Sequence, residues 1–367
     1  MPANKPPFDG EWVKLNQLCT KGKSALRQKD LIDDGPYAVY GASGIVGSMA
    51  TFQNGARYVA VVKDGAGVGR ANLCSARTSV LGTMQALIPT EMVLPEYLLH
   101  LIRAMRLGDG FSGSTIPHIY FKDYGQRLVR YVSMADQERI VGMLGSIEDQ
   151  IDILNQRNER LDTLVKSRFV EMFGGSGWPV ATVGSLATDI RYGTSKKASD
   201  CGQFVYLRKN NMTDGGGLDF GDVKHIDLSG AELEKCQVVD GDLLFNRTNS
   251  REKVGKTAVF HAKEPMVIAG YIIRVRLGDR IKQDFLAAYM NLPTTKAMLR
   301  SIARGAVHQA NINSRELSAI EVPVPPICLQ DSFLSFVAEV DKSRFIVQQK
   351  IEKLQMLYNS LAQEYFG

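Results

Sequence analysis

The sequence predicts an α/β fold used twice: two α/β domains related by pseudo-two-fold symmetry and joined by two long antiparallel coiled-coil helices. Three observations predict it. The 367-residue chain repeats itself once; the later part of each copy carries a heptad seam; and the earlier part mixes short β-like runs with short helical stretches and Gly-rich turns.

The repeat governs the rest, because self-similarity at long period changes what each local motif means. A tryptophan opens each copy, in GEWVKLNQL around Trp12 and GSGWPVATVGSL around Trp178, 166 positions apart. Further on, VVKDGAGVGRANL resembles LLFNRTNSREKVGKTAV, with Val68-Gly69-Arg70 matching Val254-Gly255-Lys256 at a separation of 186. From Leu99 and Leu292 onward the separation is 193. It holds without a gap through Ile119/Ile312, Gln137/Gln330, Glu159/Glu352 and Ser167/Ser360 to Phe173-Gly174/Phe366-Gly367. The second copy's extra 27 residues all precede that register, so the early part of each copy varies while the later part is held.

Residues 1–133 and 176–326 read as the α/β domains, on β-like runs such as YVAVV, QFVYL, DLLF, GYIIRVR and AIEVPVP. Residues 134–175 and 327–367 read as helices. In the first, Ile140, Leu144, Ile147, Ile151, Leu154, Asn158, Leu161 and Val165 alternate at spacings of four and three, the seam of a coiled coil. At the same offset the second gives Phe333, Val337, Val340, Arg344, Val347, Ile351, Leu354 and Tyr358. About 38 residues at 1.5 Å each make a helix about 57 Å long. Such a stripe has to be covered. The two helices can cover each other, antiparallel if equivalent halves pair, with the domains at opposite ends; each stripe packing on its own domain is the other arrangement. Asn158 and Arg344 are polar seam positions suited to fixing register, or to solvent beside a partner surface.

Composition sets bounds without choosing a function. Hydrophobic content of 44%, charged content of 23% and a net charge of +5 describe a mildly basic globular chain of two or three domains, which permits a polyanionic partner. Cys19, Cys74, Cys201, Cys236 and Cys328 are odd in number and never in a C-x-x-C arrangement, which predicts reduced thiols and neither a disulfide framework nor a zinc site. MPANKPPFDGEW has no apolar leader core, and no segment approaches a membrane span. The expectation is a cytoplasmic protein.

The paired Trp12 and Trp178 openings, the Val-Gly-Arg and Val-Gly-Lys turns and the segments before each helix resemble the specificity subunits of type I restriction-modification enzymes. GAVHQANINSRELSAIEVPVPPICLQ at 305–330 carries the most typical run, Gly-x-x-x-Gln-x-x-Ile, then P-x-P-P, then Gln330. GSTIPHIYFKDYGQRLVRYVSMADQ at 113–137 departs from it, with His118 near the place of the Asn and Tyr131-Val132-Ser133 replacing the prolines. The resemblance covers essentially the whole chain. It implies two target-recognition domains, each reading one half of a bipartite site in double-stranded DNA, with helices that set the unread spacer and dock two methyltransferase subunits. Through these the restriction and translocase subunits would be placed. It implies no chemistry in this chain and no cofactor bound by it, with S-adenosylmethionine, ATP and Mg held by the partners.

Two Gly-rich segments look like nucleotide motifs and are not. Gly65-Ala66-Gly67-Val68-Gly69-Arg70 ends in Arg rather than Gly, and Ser250–Thr257 lacks the first Gly of a P-loop and runs into the strand-like TAVFHA. The duplication makes them one position in two copies: a turn with exposed amides and one cation, Arg70 or Lys256, suited to a DNA phosphate. A plain turn with a solvated cation fits the same residues. The second copy adds Arg247, Asn249 and Arg251 to that loop. Lys296, Arg300 and Arg304 are spaced to share a helix face, with Arg103 and Arg106 as counterparts; they read as phosphate contacts or as a solvated face. Gln309 and Asn311, with Ser114 and His118 in the first copy, are candidate base readers, since amides bond adenine bidentately. Lys196 and Lys197 lie in a basic stretch with an aromatic, RYGTSKK.

No methyltransferase, nuclease or hydrolase motif is present in the sequence. A coiled-coil adaptor that holds two proteins apart without touching DNA, and a nucleic-acid enzyme with an unfamiliar site, are the competing classes. The adaptor predicts no sequence-dependent DNA retention, and the enzyme predicts turnover by the chain alone.

Overall fold

The computed structural model describes residues 8–112, 116–175, 177–306 and 309–367. The chain forms two compact units, residues 1–155 with 348–367, and residues 156–347. The division falls within the two long helices, so each unit contains one α/β domain and a part of both helices.

In the first unit a four-stranded antiparallel sheet runs in the order Cys19–Lys21, Met84–Pro89, Tyr58–Val62, Ala71–Cys74. Tyr58–Val62 is buried throughout because both of its faces are covered, which is why it reads as an unbroken apolar run. Val59 and Val61 meet Tyr97, Leu98, Leu101 and Ile102 of the helix Pro95–Ala104. Tyr58, Ala60 and Val62 pack on the other side with Val80, Met84 and Ala86. A second sheet runs Gly44–Met49, Tyr37–Gly41, Ser79–Val80, its last pairing parallel. The domain closes by pairing Gly10–Lys14 with Leu128–Val132, immediately before the first long helix.

The second unit repeats this plan. Its main sheet runs Ala187–Tyr192, Ile272–Leu277, Leu243–Asn246, Thr257–Val259, all antiparallel. Its second sheet places Lys224–Ile226 antiparallel and Met266–Ile268 parallel to Phe204–Leu207. Val180–Thr182 closes on Glu321–Pro323. What it adds is a helix, Gly230–Cys236, and a strand, Gln237–Val238, on the edge of the second sheet. Part of the additional length goes there and more goes into the long connection between Phe204–Leu207 and Lys224–Ile226, where the first copy joins Tyr37–Gly41 almost directly to Gly44–Met49; both lie upstream of the constant register.

The long helices are Met134–Phe173 and Ile327–Phe366, 40 residues each, or about 60 Å. In the first unit Ile140, Leu144 and Ile147 share a core with Tyr358, Ala362, Tyr365 and Phe366. Tyr365 Oη stands 3.6 Å from Met143 Sδ, and Tyr358, seven residues earlier, lies beside Glu148, so the helices run antiparallel. In the second unit Arg344 pairs with Asp162 at 2.6 Å, while Phe333 packs edge-on against Phe173, which is antiparallel again. The stripes meet both demands at once: their domain-proximal parts pack on the other helix and on the domain core together. Val340 and Val347 are buried, whereas Ile151, Leu154, Leu161, Val337, Ile351 and Leu354 are half-buried.

One side chain in each copy ties domain to helix. Gln137 is fully buried; its Oε1 accepts from Leu94 N at 2.9 Å, and its Nε2 donates to the Met92 and Val132 carbonyls at 2.9 and 3.0 Å. Gln330, also fully buried, accepts from Lys282 N at 2.8 Å and donates to the Arg280 and Pro325 carbonyls at 3.2 and 2.8 Å. Leu94 and Lys282 are the N-cap residues of Pro95–Ala104 and Gln283–Met290, whose first amides have no partner within the helix. Gln330→Met keeps the volume but orphans an amide and two carbonyls. It is expected to cost about 1–3 kcal/mol, read as a lower urea midpoint with an unchanged slope.

Among the described residues no helix is long and apolar enough to cross a membrane, no cluster of His, Cys, Asp and Glu is arranged to hold a metal, and the five cysteines are free. Burial pushes the Cys19 and Cys74 thiols up to about 12.

Candidate nucleic-acid interface

In the second unit the strand Gln309–Asn311 pairs with Thr248–Asn249 on one side and with Arg304–Ala306 on the other. This small sheet joins the two segments that the sequence marks as loops of interest. It forms one wall of a groove of about 820 Å³ that receives Lys196, Arg247, Arg304, Gln309 and Asn311. The first unit repeats the plan in miniature, since His118 bridges to Asp64 and to Ser112, and His118 is the position equivalent to Asn311.

The groove side chains are held by specific bonds. The Arg247 guanidinium lies 4.7 Å from the Tyr192 ring centre, and its Nε donates to Asn311 Oδ1 at 3.2 Å. Thr248 Oγ1 donates to the same oxygen at 3.2 Å. Gln309 is exposed. Arg304 is exposed too and pairs through Nε with Glu316 at 2.7 Å. Lys196 pairs with Glu232 at 2.5 Å, and Lys197 is exposed with no partner among the described residues. Arg208, Lys209 and Tyr271 also line the groove, and Tyr271 is 54% exposed. The sequence reading missed these three: GYIIRVR reads as a strand, but the strand begins only at Ile272, which leaves Tyr271 at a bend.

Other candidates turn inward. Asn249 donates to Asn246 Oδ1 at 3.2 Å and accepts from Ser250 N at 2.9 Å, bonds internal to its turn. Arg251 donates to the carbonyls of Arg300 and Gly305, at 3.1 and 3.2 Å, and so pins the loop to the end of the neighbouring helix. Lys256, with its side chain only 13% exposed, bonds the Met212 carbonyl and Asp214. The expected row of Lys296, Arg300 and Arg304 on one helix face does not form. The helix Pro293–Ile302 ends at Ala303, which is extended at φ −64° and ψ 126° because the chain is drawn into the small sheet. Arg300 stays exposed on the last turn, Arg304 sits on a strand, and Lys296 turns toward the Gly255 carbonyl. Burial, with Lys256 and Arg300 nearby, lowers the Lys296 ammonium to about 8.

In the first unit Arg70, Arg103 and Arg106 come together along a shallow hollow of about 470 Å³. Arg70 folds back on the Ala66 and Gly67 carbonyls, and Arg103 pairs with Glu148 of the long helix at 2.6 Å. Arg106 is exposed with a left-handed backbone, φ 45°. His118 Nδ1 bonds Asp64 Oδ1 at 2.7 Å. Ser114 lies outside the described residues.

Two equivalent α/β domains, each with basic and amide side chains around a hollow and each continued by a long helix, define a duplicated, helix-linked binding protein. Solved structures share this fold. A crystal structure of a type I restriction-modification S subunit from M. genitalium superposes with a TM-score of 0.52 over 100% of this chain and 98% of its own, at 14% identity. A chain from a structural study of complex assembly and conformational transition in the type I restriction-modification system gives 0.54 over 99% of both, at 16%. In sequence, the chain is 24% identical over 193 residues to a protein of Methanocaldococcus jannaschii described as a type I restriction enzyme MjaX specificity subunit, covering 52% of this chain and 45% of that one. It is 19% identical over 299 residues to the EcoKI specificity subunit of Escherichia coli K12, covering 75% of this chain and 64% of that one. The match spans less than two thirds of the length of either relative. No family model matches. The chain therefore has the fold of these S subunits and resembles two specificity subunits in sequence.

Because the folded-state pKa of Lys296 lies below that of an unfolded lysine, the folded chain releases this proton first as pH rises. The unfolded state then holds more protons, and stability increases between about pH 8 and 10.5. Comparing Lys296→Met with the parent by thermal melting should show the difference moving in the parent's favour across that window. A difference independent of pH would contradict the buried position of the amine.

Proposed function

We propose that this chain is the non-catalytic DNA-reading specificity subunit of a type I restriction-modification complex. Each α/β domain reads one half of a bipartite site in double-stranded DNA, and the helices set the spacer. The observation that carries this reading is the duplicated small sheet: one hydrogen-bonding plan, used twice, puts Asn311 in one domain and His118 in the other at the same point, Asn311 beside Arg247 and Arg304 and His118 in a hollow shared with Arg127. Two readers joined by a stiff spacer gain specificity from distance as well as from base contacts. A 40-residue helix corresponds to between one and two turns of B-DNA at about 34–36 Å each.

The helices also dock two methyltransferase subunits. Outside the seam they leave apolar side chains exposed at repeat-equivalent positions: Ile153 and Ile346, at 64% and 53%, and Leu164 and Leu357, each at 47%. The same exposed chemistry occurring twice fits the same partner bound twice. Restriction and translocase subunits join through that complex, S-adenosylmethionine, ATP and Mg belong to the partners, and the assembly works in the cytoplasm. The chain itself performs no bond-making step.

Methylation mapping in cells that carry this chain and a methylating partner should give a bipartite motif, and exchanging residues 176–326 should change one half of it. An uninterrupted motif, or none, would leave the adaptor reading. A second expectation concerns charge: replacing Arg300 and Arg304 together should weaken binding to all DNA sequences and reduce the salt slope by about one for each phosphate no longer neutralised, measured by titration at several ionic strengths.

A further inference from the structure

Resting on the reading of the chain as a DNA-reading subunit, we infer that Arg247 is the specificity-determining residue of the second domain and that it reads a guanine. An arginine Nε can only donate, so the Asn311 atom that faces it must be the amide oxygen, and the orientation of that amide is fixed by chemistry. The oxygen is engaged a second time by the Thr248 hydroxyl. Asn311 therefore has only its N–H groups left to offer, and the adenine-type contact expected of a free amide, which needs donor and acceptor together, is closed to it. Arg247 has used its Nε and lies against the Tyr192 ring. Among the described residues its two terminal nitrogens carry no bond, and they belong to a side chain that lines the groove. The Arg247–Asn311 pair thus presents a planar fork of donors with no free acceptor of its own. In the major groove only guanine offers two neighbouring acceptors, N7 and O6, to such a fork; adenine and cytosine present an amino donor, and thymine one acceptor beside a methyl group. The first domain has no such fork: Lys63 stands where Arg247 does, its carbonyl accepting from Ile119 N as the Arg247 carbonyl accepts from Ile312 N.

The test uses the full chain in complex with its methylating partner and duplexes carrying the mapped site. Within the half-site that changes when residues 176–326 are exchanged, each guanine is replaced in turn by 7-deazaguanine, which lacks the N7 acceptor and pairs normally. At one position affinity should fall about ten-fold. Arg247→Lys keeps the cation without the fork; it should lose a similar factor on normal DNA and become indifferent to the replacement at that position. The inference is overturned by a half-site of A·T pairs alone, by no effect of 7-deazaguanine at any position, or by a lysine variant that keeps the full penalty. If instead no bipartite motif exists, or exchanging the domain changes neither half, it is the underlying reading that fails.

Discussion

The three hydrogen bonds of a buried glutamine amide, made once in each half, are the constraint on which the rest of the architecture depends. A primary amide removed from water must find partners for its oxygen and both hydrogens or lose several times the worth of an ordinary hydrogen bond. Gln137 and Gln330 find theirs only when three separate pieces of chain meet: the start of the long helix, the closing strand or its proline turn, and the first amide of the helix that packs on the main sheet. Each domain is thereby set on its helix in one orientation. Apolar packing of Ile140 and Leu144, or of Phe333 and Phe169, would by itself tolerate sliding; the amide does not.

A similar division between greasy contact and directed polar contact recurs at the groove. The second sheet contributes the buried Tyr206 ring to the groove, while the small sheet holds polar side chains at its edge. Cations there fall into two groups. Lys296 and Arg251 are consumed in holding the turn against the helix that ends at Ile302, and Lys256 in holding it to the segment at Met212 and Asp214. Arg247, Arg300, Arg304 and Lys197 keep charge on the surface. A count of basic residues does not separate these groups, because a lysine on a flexible stem reaches an inner carbonyl as easily as solvent, and only the packed structure says which it does.

The duplication, both long helices and their antiparallel pairing were legible in the sequence, since a constant register and a four-three alternation report directly on periodic geometry. The buried glutamines were visible as a repeated pair, Gln137 and Gln330, but not their role, which depends on backbone groups that carry no sequence signature. Lys296, Arg300 and Arg304 show the opposite failure: their spacing is helical, yet strand pairing with Gln309–Asn311 pulls the chain out of the helix before Arg304 is reached. Tyr271 was hidden because a bend one residue before a strand looks like the strand. That the additional residues of the second copy precede the constant register was readable, but not their form: among them Gly230–Val238 makes a short helix and an edge strand that pair within their own domain.

The glutamine amides have one more property: every hydrogen-bond partner they use is a main-chain atom. A joint that grips backbone alone is indifferent to the side chains of what it grips, so it acts as a universal socket. Any compact domain that presents a helix start and a closing strand at the right spacing can be seated in it. The surface that meets a ligand is then free to drift, acquire insertions or be exchanged wholesale between relatives, while the mount and the distance between mounts stay untouched. In such a design, inheritance acts on two parts at different rates, a lasting fixture and a replaceable head.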